Sequence, residues 1–303
     1  MKKSFIIIIL FLLGSSIISQ DIKYKVFFFN GEISFKRYEG SLWNKFNDDD
    51  LNFTLLPTDS IFLGNEAELF LIDNANAQYI FSDPGKNKIS VLTDSIEALG
   101  GESLIGKYAD FIWDELNKAK DDFDNYTEKH MREKGGVSRA INIPEIYSPI
   151  YGTFIIDDKI SFIWENTGVE KYTLSFWDSD MNGNCFFSVA IEDTFATIPT
   201  KLPWMPEDGN LYYYSITESN KDATNFIPLK VLNNTEKEKI ESDIEQIRQD
   251  LNQSVAIQYL IIASYYEENN LLDKAKQSYL QALEENDNAI IQRNYILFQA
   301  RNR

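Results

Sequence analysis

The stretch AIQYLIIASYYEENNLLDKAKQSYLQALEENDNA, residues 256–289, decides the fold of the carboxy-terminal part of the chain. Its apolar and small residues recur at steps of three and four. Tyr259, Ile262, Ala263 and Tyr266 come first, then Ala275, Tyr279 and Ala282, with Asn269-Asn270 between the two sets. That period belongs to helices, so the stretch predicts two antiparallel helices joined by a short turn. Ala263, Ala275 and Ala282 let the pair approach closely, while Tyr and Ile side chains fill the adjoining grooves. A single hairpin cannot bury its own face, and about three units are normally needed. Asn233-Asn234-Thr235 opens a further helix with Ile240, Ile244, Ile247 and Leu251 on one side, and Ile291, Tyr295 and Phe298 continue the pattern downstream. Residues 233–303 are therefore expected to form an α-helical hairpin array.

The 34-residue pattern resembles a tetratricopeptide (TPR) repeat at seven of its eight signature positions, departing where Asp287 stands in place of Pro. In such repeats the first helix of each pair lines a concave groove. The resemblance thus implies that Ile257, Leu260, Ser264 and Glu267 face a protein or peptide partner. A structural cap packed on the preceding domain is the alternative.

Residues 141–232 read as an all-β module. Pro144 and Pro149 mark a linker, and strands are expected at Thr153–Ile156, Ile160–Trp164, Tyr172–Trp177, Cys185–Ile191, Thr194–Ile198, Leu211–Thr217 and Ile227–Leu232. Short strands spaced by about 10 residues, with turn signals between them, indicate a sandwich. The runs around Trp164, Tyr172 and Tyr212 to Tyr214 resemble an immunoglobulin or fibronectin type III domain, which places a core Trp early and a Tyr on a late strand. Trp164, Trp177, Trp204 and Tyr212 to Tyr214 are also candidates for a sugar-binding platform, although alternation sends neighbours to opposite faces. Asp178-Ser179-Asp180-Met181-Asn182-Gly183 begins like an EF-hand loop, but Val189 occupies the position that needs a bidentate Glu. A hairpin turn is the expectation there, with Cys185 as a buried thiol in an apolar strand.

Leu104, Tyr108, Phe111, Ile112, Leu116, Ala119, Phe123 and Tyr126 give one apolar stripe to a helix from Ser103 to Met131, stopped by Lys134-Gly135-Gly136. Residues 96–140 are expected to pack across a sheet or to join the two β modules as a strut. His130, the only histidine, sits near the basic end of this segment and reads as a surface or capping residue.

Residues 21–95 alternate with period two. Val26 and Phe28, then Ile33 and Phe35, flank Asn30-Gly31, and this predicts an antiparallel hairpin. Further strands are expected at Asn52–Leu56, Ser60–Leu63, Glu66–Ile72, Gln78–Phe81 and Lys88–Leu92. Alternation around Leu69 and Leu71 predicts one buried and one mainly wet face, and the whole a small roll or sandwich. Val26 and Gly31, then Trp43, then Leu55 to Ile61, then Leu69, Leu71 and Asp73 follow the order of landmarks in FecR-like periplasmic domains, which this quarter of the chain resembles. FecR proteins carry an anti-sigma segment and a membrane span before that domain. Here an export signal stands in that place, so a sigma-factor role is not implied. Asp48-Asp49-Asp50 reads as a solvated turn.

Lys2 and Lys3, the apolar run Phe5 to Leu13 and the small residues Gly14, Ser15 and Ser16 have the order of a secretory signal over residues 1–20. The run is shorter than the roughly 20 residues that span a bilayer, so no transmembrane span is expected after cleavage, and the location is periplasmic or secreted. The chain is globular in composition, 44% hydrophobic over 303 residues, with 29 Lys and Arg against 47 Asp and Glu and a net charge of −18. That sign repels nucleic acid. One His and one Cys offer no material for a His/Cys metal site, and no catalytic residues or cofactor are legible. The expected fold is multidomain β plus α: two small all-β modules, a roll or sandwich and an Ig-like sandwich, joined by a long helix and followed by a TPR-like array. The expected function is non-enzymatic scaffolding or protein–protein interaction at the cell envelope. Carbohydrate or peptidoglycan binding by the middle sandwich is the alternative, and a carboxylate-dependent hydrolase ranks third.

Overall fold

The computed structural model describes residues 22–46, 53–95, 103–118, 144–180, 183–203, 209–219, 221–223, 225–251 and 254–302. The signal segment, Asp48-Asp49-Asp50, the expected helix beyond Lys118, His130 and Trp204 lie outside the described residues. No described helix is long and apolar enough to cross a membrane. The chain divides into two compact units, Met1–Ala98 and Leu99–Arg303.

In the first unit two four-stranded sheets enclose one core. β1 (Tyr24–Asn30), β4 (Thr54–Leu55), β6 (Glu68–Asp73) and β7 (Gln78–Phe81) form one sheet in the order β4-β1-β6-β7. β2 (Ile33–Lys36), β3 (Asn44–Lys45), β5 (Ser60–Leu63) and β8 (Gly85–Lys88) form the other, ordered β3-β2-β5-β8. Val26, Leu69 and Leu71 from the first meet Ile33, Phe35, Ile61 and Leu63 from the second.

The Asn30-Gly31 hairpin is not formed. β1 pairs antiparallel with β6, and β2 with β5, so consecutive strands lie in different sheets. The run Val26-Phe27-Phe28-Phe29 is buried throughout, and such a run belongs inside a sheet rather than at its edge. Gly31 makes the corner at φ +78°, where a Cβ would lie 2.9 Å from the Ala67 Cα. β6 likewise lacks the expected wet face. Phe70 and Ile72 are buried as fully as Leu69 and Leu71, and Phe70 meets Phe27 edge to face at 5.0 Å. The strand expected at Lys88–Leu92 is instead the end of β8 and the start of helix α1 (Ile89–Ser95), which buries Ile89, Leu92 and Thr93 on one side. Within the Leu55–Ile61 stretch, buried Asp59 accepts from Leu56 N at 2.9 Å and Arg37 Nη1 at 2.6 Å, holding the turn together.

The second unit contains a sandwich and a set of helices. Its strands are β9 (Ile146–Ser148), β10 (Phe154–Ile155), β11 (Lys159–Trp164), β12 (Tyr172–Trp177), β13 (Cys185–Ile191), β14 (Phe195–Pro199), β15 (Leu211–Glu218) and β16 (Ile227–Val231). They form sheets ordered β10-β16-β15-β12-β13 and β14-β11-β9. Ile160, Phe162 and Trp164 alternate inward from β11 to meet Leu174, Phe176 and Tyr214. β9 falls in the stretch that Pro144 and Pro149 mark as linker. Cys185 is exposed rather than buried, because the register shifts after Phe176 and sets Cys185 opposite Trp177, away from the core.

The helices are α2 (Leu104–Lys118), α3 (Asn234–Asp250), α4 (Val255–Glu268), α5 (Leu272–Glu285) and α6 (Ala289–Arg301). Asn233 opens α3 with a full capping box, its side chain accepting from Glu236 N while Glu236 accepts from Asn233 N. Helix α2 packs on α3, α4 and α6, and its Ile105, Tyr108, Ala109, Ile112 and Trp113 are buried. The inner faces of the sandwich already cover each other. By contrast, α4 buries residues on every side, from Ala256 and Ile257 through Leu260 to Tyr265, and an all-round apolar helix needs neighbours on several flanks.

Replacing Gly31 with Ala is expected to cost about 1–2 kcal/mol for the left-handed backbone alone, with the Ala67 clash added. Urea unfolding of the full chain should show a lower midpoint, and an unchanged midpoint would contradict a tight left-handed corner at Gly31.

Candidate protein-binding site in the helical array

The hairpin read from residues 256–289 is α4, a turn and α5. Asn270 takes the left-handed conformation at φ +56°, and Ala263, Ala275, Tyr279 and Ala282 are fully buried. Tyr279 continues onto α6 through a ring contact with Phe298 at 5.1 Å, so the third helix stacks on the second.

The four residues inferred to face a partner lie inside this packing. Ile257, Leu260 and Ser264 have no exposed surface, and the Glu267 side chain retains 8%. Ser264 Oγ donates to the Leu260 carbonyl at 3.1 Å and lies 3.5 Å from the Tyr279 hydroxyl. Glu267 accepts from Tyr279 at 3.1 Å and twice from Arg301, Nε at 2.8 Å and Nη2 at 3.0 Å. In this conformation none of the four presents a free surface.

Arg301, in the last turn of α6, is where three helices meet. Besides the paired bonds to Glu267 it donates from Nη1 to Glu115 of α2 at 2.7 Å. Its guanidinium lies 5.9 Å from the Phe111 ring centroid. Burial opposes the charged form, but the hydrogen bonds and charge of Glu267 outweigh it and hold Arg301 above the ordinary arginine range. Further along the same contact, Tyr108 donates to Glu268 at 2.6 Å, Lys107 pairs with the same carboxylate at 2.5 Å, and Tyr108 meets Tyr265 edge-on at 5.3 Å. Burial and then the Glu268 hydrogen bond raise the Tyr108 phenol. Periodicity within residues 103–118 shows the apolar face of α2 but gives no signal for which distant helices receive it.

The array is also joined to the sandwich. Phe154 N donates to the Asn270 carbonyl at 2.6 Å, and Leu272 N to Thr153 Oγ1 at 2.9 Å. Ile150 N approaches both oxygens of Asp273 at 3.3–3.4 Å, and Lys274 pairs with Asp157 at 2.8 Å. Burial at this seam pushes Asp273 up to about 6, against the partial relief from Ile150 N and Lys276.

The sandwich aromatics divide as alternation requires. Trp164, Tyr212 and Tyr214 lie in the core. Trp177 and Tyr213 are neighbours on the outer face, where Trp177 Nε1 donates to Ser215 Oγ at 3.0 Å and its ring meets Phe226 at 5.2 Å. In the EF-hand-like stretch, Asp178 accepts from Asn184 N at 2.8 Å and from Asn184 Nδ2 at 3.2 Å, which is turn geometry. Among the described residues no group of three or more His, Cys, Asp or Glu is placed to hold a metal ion. Glu115 and Glu267 converge, but on Arg301, which neutralises them.

No protein-family model matches the chain, and no curated protein matches it. What stands is an architecture of separate β-sheet modules and a carboxy-terminal helical array.

A carboxyl whose folded pKa is raised from 3.8 to about 6 costs stability once ionised. The cost is absent below the unfolded pKa, grows as pH rises between the two values and is complete above pH 6. Asp273→Asn should therefore raise the unfolding free energy at pH 7.5 by about 1–3 kcal/mol, with the gain disappearing by pH 4. Thermal melts of both proteins at the two pH values measure it, and a loss at pH 7.5 would refute it.

Proposed function

We propose that the chain is an exported, non-enzymatic protein that binds a protein or peptide partner through its carboxy-terminal helical array, acting at the cell envelope. The observation that carries this reading is that the array accepts a helix: α3, α4 and α6 together hold α2 through both apolar and charged contacts. Helical grooves that seat one amphipathic helix are a recurring mode of peptide recognition. The amino-terminal signal pattern supports export, and the acidic composition disfavours nucleic acid.

Carbohydrate binding by the middle sandwich is the second reading, supported by the outer face of its larger sheet. There Tyr213, Trp177 and Cys185 form one cross-strand row without a charged side chain, and the Tyr213 and Trp177 side chains are half-buried rather than enclosed. Two adjacent aromatic rings suit the face of a sugar.

Photo-crosslinking separates the two. With a photoreactive residue at position 268 or 296 of the array, envelope extracts should give one shared adduct, absent from the same label at 195 on the sandwich. An adduct from 195 alone would overturn the array reading. Glycan-array binding that disappears in a folded Trp177→Ala protein would establish the second.

A further inference from the structure

We infer that α2 is an intramolecular stand-in for the partner of the helical array, and that the partner is an amphipathic helix with an aromatic residue followed seven positions later by a carboxylate, which binds by displacing α2. This deepens the protein-binding reading and rests on it.

Tyr108 and Glu115 are two turns apart on one face of α2, and they make the polar contacts at opposite ends of the interface. Tyr108 bonds Glu268 and packs on Tyr265, while Glu115 reaches Arg301. Between them, Ile112 is buried and Phe111 lies beside the Arg301 guanidinium. Aromatic, apolar and acidic groups at three- and four-residue steps are the way a helical ligand is read by a groove.

The polar groups of this interface have partners on their own side as well. Arg301 keeps the two hydrogen bonds it donates to Glu267 when Glu115 is taken away. Tyr265 keeps its bond to Asp243 at 2.7 Å within the array. Glu115 keeps Lys118, one turn on in α2, at 2.7 Å. Lys107 and Glu268 are 57% and 42% exposed and return to water. Withdrawal of α2 therefore strands no buried charge, the situation that makes breaking an ion pair most costly. What it loses is the packing of α2 on α3, α4 and α6, with Tyr108 against Tyr265 and Phe111 beside Arg301, and a second helix of the same pattern restores it. A tethered occupant also lowers the apparent affinity of any competitor by the fraction of molecules in which the site is open. The array is thus gated by its own chain.

The test titrates a fluorescein-labelled peptide of residues 103–118 into the full chain. Wild type should bind it weakly, and the double variant Tyr108→Ala, Glu115→Ala at least about tenfold more tightly. A peptide carrying the same two changes should bind neither. If the double variant does not fold, Glu115→Gln, which leaves Arg301 with Glu267, replaces it. Hydrogen exchange on wild type is the second readout, with α2 amides expected to exchange faster than those of α4 and α5. Equal affinity of wild type and variant for the peptide, or exchange of α2 only together with α4 and α5, overturns the inference. If crosslinks from the array to a partner persist while the peptide fails to compete for them, displacement falls and the protein-binding reading stands. Absence of any partner adduct, with peptide binding intact, has the opposite meaning.

Discussion

The carboxy-terminal half depends on how Arg301 is accommodated. A guanidinium whose side chain is only 15% exposed needs paired carboxylates and good hydrogen-bond geometry, because desolvating charges consumes much of their Coulomb attraction. Glu267 supplies a fork on two nitrogens and fixes α6 against α4; Glu115 brings in α2 from the other side of the sandwich sequence. The same group that closes the array therefore also sets the register of the helix lying on it. Tyr279 and Asn302 complete the shell around Glu267, so this carboxylate is structural despite being the most polar of the four residues first placed on a binding face.

A second constraint couples the array to the β-sandwich. Thr153 takes the Leu272 amide, Asn270 offers its carbonyl to Phe154, and Asp273 meets Ile150. These groups sit at the α4–α5 turn and the first turn of α5, where backbone donors and acceptors lack helical partners. The sandwich satisfies them. The interface is consequently specified by main-chain geometry as much as by side chains, and it orients the hairpin through its tip.

Local pattern was legible where burial is simple. The strands from Lys159 to Val231 follow period two because one sheet face meets the other, and α4 and α5 follow the helical period because small residues must sit at the contact. Legibility failed where the decisive partner is distant. Asn30-Gly31 carries the positive φ of a turn, yet nothing nearby says that Tyr24 to Asn30 must pair with Glu68 to Asp73 instead of with the next strand. Cys185 reads as buried until a one-residue register shift turns it outward. Glu267 reads as an exposed helix-end acid until Arg301, far along the chain, folds onto it, and the same distance hid the helix that covers the array.

The sheet-switching corner at Gly31 has a kinetic consequence. Because β1 skips its neighbour, Tyr24 must find Asp73 and Asn30 must find Glu68, so the first core closes only after the intervening strands have been made. Such non-local pairing is slow, whereas α4 and α5 close a local hairpin that needs only its own turn. In a chain synthesised from the amino terminus, the module made first still waits on strands made later, and its run of four apolar residues stays unpaired meanwhile. That interval is when edge-to-edge association threatens, and the strong like charge of the whole molecule keeps separate chains apart during it.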